Sequence, residues 1–315
     1  MFTETPIIKL VTRLTDLNLY IKRDDLLPFS FGGNKARIAW ELYADMDARG
    51  MNCMIGYGNA RSNLCRVLAN MNAQRGGICH IVSPADEDGD SGETNNFRIV
   101  KACGAFIHSC ARQNAAETVK GVMDKCEGNG LLPYYMYGNA DGRGNEAAPV
   151  RAYVKVYKEI ADQAKAMRLA FDYIFLATGT GMTQAGLLAG KRLYSGNEEI
   201  AGISVARSRE QETEVIRGYL GAYYKSVGLP FMPLDNVNVI DDFLCGGYGK
   251  YSTDILRTIK EMIQTNGIAL DPVYTGKAFS GMMDYIKNRK IRDKNILFIH
   301  TGSAPLFFDS IAEIL

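Results

Sequence analysis

The sequence predicts an α/β protein built on parallel sheets. Short β-branched or aliphatic runs alternate with longer segments of helical period almost from end to end, and strand followed by helix, repeated, is the pattern of right-handed crossovers. The 315 residues, 47% hydrophobic and 23% charged, suffice for a buried core and fit one large or two medium domains.

The elements follow in order. A strand is expected over residues 18–23, then a Gly32-Gly33-Asn34 turn into a helix over 35–49. Strand 53–57 leads into helix 62–74, and strand 78–83 into helix 95–103 through the acidic, Gly-rich stretch 85–93. Strand 105–108 and helix 115–125 come next, and a Gly, Asn and Asp cluster over 137–149 precedes a helix over 146–166. Four more units alternate: strand 173–177 with helix 183–193, strand 200–205 with helix 209–225, strand 237–240 with helices 252–265 and 276–288, and strand 296–300 with helix 304–314. About 110 residues are expected as an insertion between the first helix and the long one. No internal repeat is visible.

Charge and cysteine usage narrow the class. Thirty-six Lys and Arg against thirty-five Asp and Glu leave a net charge of +1, which disfavours nucleic acid or an anionic membrane as the main partner. No apolar run approaches the ~18 residues of a membrane helix. Met1 to Pro6 lacks a basic region followed by an apolar stretch, so no secretion signal is expected. Seven cysteines are scattered without a CxxC pair, which favours reduced thiols and a cytoplasmic protein over a disulfide framework.

Metal chemistry finds little support in the spacing. Asp86, Asp88 and Asp90 occupy positions one, three and five of a possible calcium loop, but Ser91 stands where glycine is needed and Phe97 where glutamate is needed. His108 with Cys110, and Cys79 with His80, lack a second ligand pair nearby in sequence, so no metal is expected. His300 ends a probable strand, where it could line a ligand crevice or equally be a satisfied core residue.

The segment Ala177-Thr178-Gly179-Thr180-Gly181-Met182-Thr183-Gln184-Ala185-Gly186 follows a strand and opens a helix. Glycine amides, hydroxyls and a helix N-terminus together suit an anion, and a phosphate-bearing ligand fits. Its glycine spacing differs from the dinucleotide fingerprint, and the next strand ends at Val205-Ala206-Arg207 without an acidic residue for a ribose. A dinucleotide-dependent oxidoreductase is therefore disfavoured. Lys35, at the helix start after Gly32-Gly33-Asn34, meets a dipole that lowers an amine's pKa and favours Schiff-base chemistry; a simply solvated lysine is the commoner alternative at such a position.

Ile21-Lys22-Arg23-Asp24-Asp25 with Gly32-Gly33-Asn34-Lys35 resembles the region around the cofactor lysine of the D-cysteine desulfhydrase and 1-aminocyclopropane-1-carboxylate deaminase family. Four further segments resemble that family in order: Arg61-Ser62-Asn63, Thr178 to Gly186, Leu270 to Lys277, and His300-Thr301-Gly302. The resemblance spans essentially the whole chain. It implies the tryptophan-synthase-β fold, with two open, mostly parallel twisted sheets flanked by helices, and pyridoxal 5'-phosphate as cofactor. It also implies a homodimer, a large cofactor domain at 1–44 and 155–315, and a small domain at 45–154 closing over the substrate.

Carried over by position, the resemblance makes Lys35 the lysine that holds the cofactor and shuttles protons. Asn63 would bond the ring hydroxyl, and Thr178, Gly179, Thr180, Gly181, Met182 and Thr183 would bind the phosphate. Thr301 would meet the pyridine nitrogen. Ser62 would receive the substrate carboxylate and join in proton transfer, while Tyr248 and Tyr274 would face the substrate as acid/base or stacking groups. The expected reaction is β-elimination from a small β-substituted amino acid, D-cysteine-like, giving pyruvate, ammonia and sulfide. Thr275 stands where the deaminase branch has glutamate, and a neutral Thr301 suits prompt loss of a β leaving group; cyclopropane opening is disfavoured. A β-replacement synthase would use the same residues.

Two departures bear on specificity. The family reads Gln-Ser-Asn-His where this chain has Arg61-Ser62-Asn63-Leu64, and Gly-Gly-Ser-Asn near Arg143 to Pro149. Arg61 adds a permanent cation that could pair with a second anionic group, which makes L-cysteate an alternative substrate; a solvent-facing Arg61 is the equal alternative.

Overall fold

The computed structural model describes residues 3–12, 16–85, 93–230 and 236–315. The acidic positions 86–91 of the discounted calcium loop lie outside them. The chain forms two compact units, one of residues 1–34 and 149–315, the other of residues 35–148.

The first unit holds a six-stranded sheet. In chain order its strands are β1 (Ile7–Lys9), β2 (Leu17–Lys22), β7 (Tyr173–Thr178), β8 (Glu199–Ser204), β9 (Asn238–Ile240) and β10 (Lys294–Ile299), arranged β1-β2-β10-β7-β8-β9. Only the β1–β2 pair is antiparallel. Parallel strands buried on both faces need continuous apolar runs, and β7, β8 and β10 supply them, with Phe175, Ile203 and Phe298 fully buried. This unit's helices are α5 (Ala147–Ala166, from Pro149 on), α6 (Met182–Leu193), α7 (Arg209–Ser226), α8 (Thr253–Asn266), α9 (Thr275–Asn288), α10 (Ala304–Asp309) and α11 (Ile311–Ile314).

The second unit holds a four-stranded parallel sheet of β3 (Cys53–Tyr57), β4 (Ile78–Pro84), β5 (Phe106–Cys110) and β6 (Pro133–Tyr135), ordered β5-β4-β3-β6. Its helices are α1 (Asn34–Ala48), α2 (Asn63–Arg75), α3 (Asn95–Ala102) and α4 (Ala115–Gly128).

Three differences from expectation have local causes. β1 and β6 are three-residue strands, too short to show a period. The helix expected over 304–314 is two, because the chain leaves helical geometry at Ser310, with φ −111° and ψ 11°.

Much of the Lys22-Arg23-Asp24-Asp25 motif is structural. Lys22 is fully buried, its ammonium 2.5 Å from Glu159 of α5 and donating to the Thr5 carbonyl. Asp24, also fully buried, accepts from Thr5 Oγ1 at 2.7 Å and from Tyr153 Oη at 2.5 Å. Arg23 and Asp25 form a two-point pair at 2.7–2.9 Å. Helix α5 supplies both Tyr153 and Glu159, and it lies hard against α6. A Cβ on Gly186 would sit 2.3 Å from Tyr153 Cβ, so only glycine permits that approach.

Candidate active site

The turn before Lys35 is locked against the end of β10. Asn34 N–H donates to the Thr301 carbonyl at 3.0 Å, and a Cβ on Gly33 would lie 2.6 Å from that same oxygen. A Cβ on Gly302 would in turn meet Gly33 Cα at 2.4 Å. Both glycines also have positive φ, 98° and 94°. The Asn34 side chain reaches the other way, donating to Thr183 Oγ1 at 2.9 Å in the first turn of α6. One residue thus ties the Thr301 turn and the glycine loop to the position next to Lys35, which is partly buried at the start of α1.

His300 holds this arrangement rather than lining a crevice. Its Nε2 bonds the Ala269 carbonyl at 2.9 Å, and its Nδ1 accepts from Gly302 N–H at 3.1 Å. With both ring nitrogens engaged and 2% exposure, it is the satisfied core histidine of the two alternatives.

The glycine loop has the features of an anion cradle. Gly181, with φ 75°, is the N-cap of α6, and no side chain caps that helix or places an acid in its first turn. The N–H groups of a helix's first turn have no intrahelical acceptor, and the first turn of α6 itself carries no acidic residue. Helices α2 and α7, by contrast, carry Ser62 and Ser208 caps. The Thr178 hydroxyl donates to buried Glu212 at 2.8 Å, and Arg207 bonds both Glu212 and the Gly179 carbonyl. Thr178 therefore braces the loop from beneath, and the loop amides with the Thr183 hydroxyl, which accepts from Asn34 and can still donate, suit a phosphate. A phosphate with a lysine-reactive aldehyde fits this donor set.

Two tyrosines from separate loops meet in the first unit. Tyr248 Oη and Tyr274 Oη are 2.5 Å apart, with the rings edge to face. Tyr274 is fixed by Asp271, whose carboxylate accepts from the N–H groups of Val273, Tyr274 and Thr275 and from the Thr275 hydroxyl at 2.8–3.0 Å. Burial pushes the Asp271 carboxyl up, against donors that favour its anion. Thr275 is fully buried in this network. Tyr248 is fixed by Lys277, a fully buried ammonium that donates to the carbonyls of Leu244 at 2.9 Å and Gly247 at 3.0 Å. Burial lowers the Lys277 pKa. Residues 245–247 all have positive φ, which turns those carbonyls toward one donor.

In the second unit, Arg61, Ser62 and Asn63 form the turn from β3 into α2. Ser62 is the N-cap, its Oγ accepting from Cys65 N–H at 3.2 Å. Asn96 Nδ2 of α3 donates to the Arg61 carbonyl at 2.9 Å and to Asn63 Oδ1 at 3.0 Å, so the Asn63 amide NH2 is the end oriented for other contacts. Arg61 and Ser62 are half-buried, and Leu64 is buried at 4% exposure. The divergent stretch 143–149 is ordered by Asn139, whose Oδ1 accepts from Arg143 N–H at 3.0 Å, and by Asn145 donating to the Tyr135 carbonyl at 2.7 Å. Sequence reasoning gave no role to Asn34, Asp271, Lys277 or Asn96. Asn34 carried a signal in its place beside Lys35, and Asp271 and Lys277 in lying within the segment 270–277 that resembles the family; Asn96 carried none.

Comparison with known proteins gives the family. The family model for pyridoxal-phosphate dependent enzymes matches residues 2–302. The chain belongs to that family, and its cofactor is accordingly pyridoxal 5'-phosphate. Within it, the chain is 31% identical to a D-cysteine desulfhydrase of Serratia proteamaculans over 312 residues, covering 96% of this chain and 92% of the relative. A Pyrococcus abyssi relative, provisionally named 1-aminocyclopropane-1-carboxylate deaminase, is 32% identical over 99% of this chain and 93% of its own. The crystal structure of a 1-aminocyclopropane-1-carboxylate deaminase homologue superposes with a TM-score of 0.85 at 28% identity, covering 99% of this chain and 94% of that one.

Proposed function

We propose that this chain is a pyridoxal-phosphate dependent lyase acting on D-cysteine, which with water gives pyruvate, ammonia and hydrogen sulfide. The Asn34 clamp carries the reading of the site, because it joins a lysine-bearing turn, an uncapped helix N-terminus and the Thr301 turn. The desulfhydrase relatives carry the substrate.

When bound, the cofactor supplies an electron sink that acidifies the substrate's Cα–H and lets the β substituent leave. Lys35 Nζ would hold it and would carry the Cα proton. The amides of 179–183 with the Thr183 hydroxyl would hold its phosphate, and the family resemblance gives its ring hydroxyl to Asn63. Thr301 offers the pyridine nitrogen a neutral hydroxyl. The Ser62 turn and the α2 N-terminus take the substrate carboxylate, where N–H groups favour an anion. The Tyr248–Tyr274 pair shares one short hydrogen bond, and a hydroxyl of this pair would protonate the departing sulfur. The free thiols of all seven cysteines support a cytoplasmic setting, and the family resemblance supports a homodimer. Among the described residues, no helix is long and apolar enough to cross a membrane.

Thr275 argues against the deaminase alternative, since its hydroxyl is committed to Asp271 where that branch has a carboxylate. A panel of D-cysteine, L-cysteine, L-cysteate and 1-aminocyclopropane-1-carboxylate tests the assignment. Sulfide and pyruvate formed fastest from D-cysteine are expected; 2-oxobutanoate from the cyclopropane substrate at a comparable kcat/KM would overturn it. Faster sulfite release from cysteate would instead assign Arg61 to a second anionic group.

A further inference from the structure

The 35–148 unit assembles ligands that no spacing in the sequence groups together. Cys53 is on β3, His80 on β4 and Cys126 in the last turn of α4. In the parallel register Ile55 faces His80, and Cys53 lies two residues before Ile55, so Cys53 and His80 share one face of the sheet. The two sulfurs are 3.6 Å apart, and one ligand atom from each of the three residues lies within 4.8 Å of the others. His108 of β5 steadies the imidazole, its Nε2 being 2.9 Å from His80 Nδ1 with the rings stacked.

We propose that Cys53, Cys126 and His80 form a zinc site, with His108 orienting the His80 ring. Zinc binds thiolate at about 2.3 Å, and two thiolates on one tetrahedral ion sit about 3.8 Å apart, close to the observed separation. A disulfide bond needs about 2.05 Å. Two thiolates and one imidazole leave the fourth position to water, the ligand count of open zinc sites. Each thiol passes its proton to solvent as its Zn–S bond forms, so uptake of one ion releases two protons and needs no oxidant. Cys53 and Cys126 are both buried, and the ion's charge would compensate two thiolates that burial disfavours. Half-exposed His80 gives the ion a way in.

The test is zinc stoichiometry and zinc-edge X-ray absorption on the cofactor-loaded full chain, incubated with micromolar zinc and gel-filtered. One zinc per chain with two sulfur scatterers at about 2.3 Å is the expected result. His108→Ala should weaken retention roughly 10–100-fold and His80→Gln at least as much. The Cys53→Ser/Cys126→Ser double variant should lose the ion. If that variant fails to fold, the wild-type spectrum and the half-exposed His80 still decide. No uptake by wild type, a shell of nitrogen and oxygen only, or equal retention by His80→Gln would overturn the site.

Discussion

Lys277→Met should slow the enzyme through Tyr248 while leaving the cofactor in place. The Lys277 ammonium donates to two loop carbonyls within 3.0 Å, and the third, Val205 O, is at 3.5 Å. Hydrogen bonds to charged groups contribute about 1.5–3 kcal/mol each, so the two short ones amount to roughly 3–6 kcal/mol. Desolvation of the ammonium, several kcal/mol, cancels much of this, and methionine removes both terms. Global stability should therefore fall by only about 1–2 kcal/mol, since water can reach the carbonyls of the partly exposed loop. The catalytic effect should be larger. Once residues 244–248 lose their common donor, Tyr248 drifts from Tyr274, and a displacement of about 1 Å costs on the order of 100-fold. The assay is kcat and KM for sulfide release, beside the visible band of the bound cofactor and the urea midpoint. A double cycle with Tyr248→Phe gives the sharper readout. If Lys277 acts through that tyrosine, the double variant is no slower than Tyr248→Phe alone. A kcat within twofold of wild type, or fully multiplicative losses, would refute the positioning role.

Other outcomes follow from the same contacts. Lys22→Met leaves Glu159 buried without its cation and should destabilise the protein by about 3–5 kcal/mol in urea unfolding; a loss under 1 kcal/mol would show that water reaches the pair. Asn34→Ala removes the bond to Thr183 and should raise the cofactor dissociation constant at least about tenfold, roughly 1.4 kcal/mol, in equilibrium dialysis. An unchanged constant would separate the glycine loop from the Lys35 turn. Burial lowers both His80 and His108, His80 to about 4. An unfolded histidine titrates near 6.5, so between about pH 6.5 and 4 the unfolded chain binds more protons and stability falls as the pH is lowered. Unfolding in chelator at pH 7 and pH 5 should show this fall, with a shallower slope in His80→Gln; an equal slope would place the titration elsewhere.

The parallel frame was legible because buried crossover strands leave unbroken apolar runs, as in Ile296 to Ile299 between Asn295 and His300. Strand 53–57 was placed to the residue. Helix starts were legible where glycine or a hydroxyl marked them, at Asn34, Ser62 and Gly181. The site was legible in part. The 178–183 loop stood out locally, since a turn, a helix N-terminus and a hydroxyl are short-range features, whereas Lys35 was singled out by the family resemblance around it. What joins them was not. Asn34 reaches Thr183 across 149 residues, and Tyr248 meets Tyr274 from another loop. Such pairings depend on strand order, which the sequence does not display. The same holds for Cys53, His80 and Cys126, and for Thr178, whose hydroxyl turns to Glu212 rather than outward.

The most direct test compares wild type with Lys35→Ala after loading with pyridoxal 5'-phosphate and adding D-cysteine. Wild type should show the visible band of lysine-bound cofactor, the substrate should perturb it, and sulfide and pyruvate should appear in equal amounts. Lys35→Ala should lack that band and make no sulfide, with the urea midpoint near that of wild type. A lysine-bound band that persists in Lys35→Ala, or sulfide release at the wild-type rate, would contradict the account.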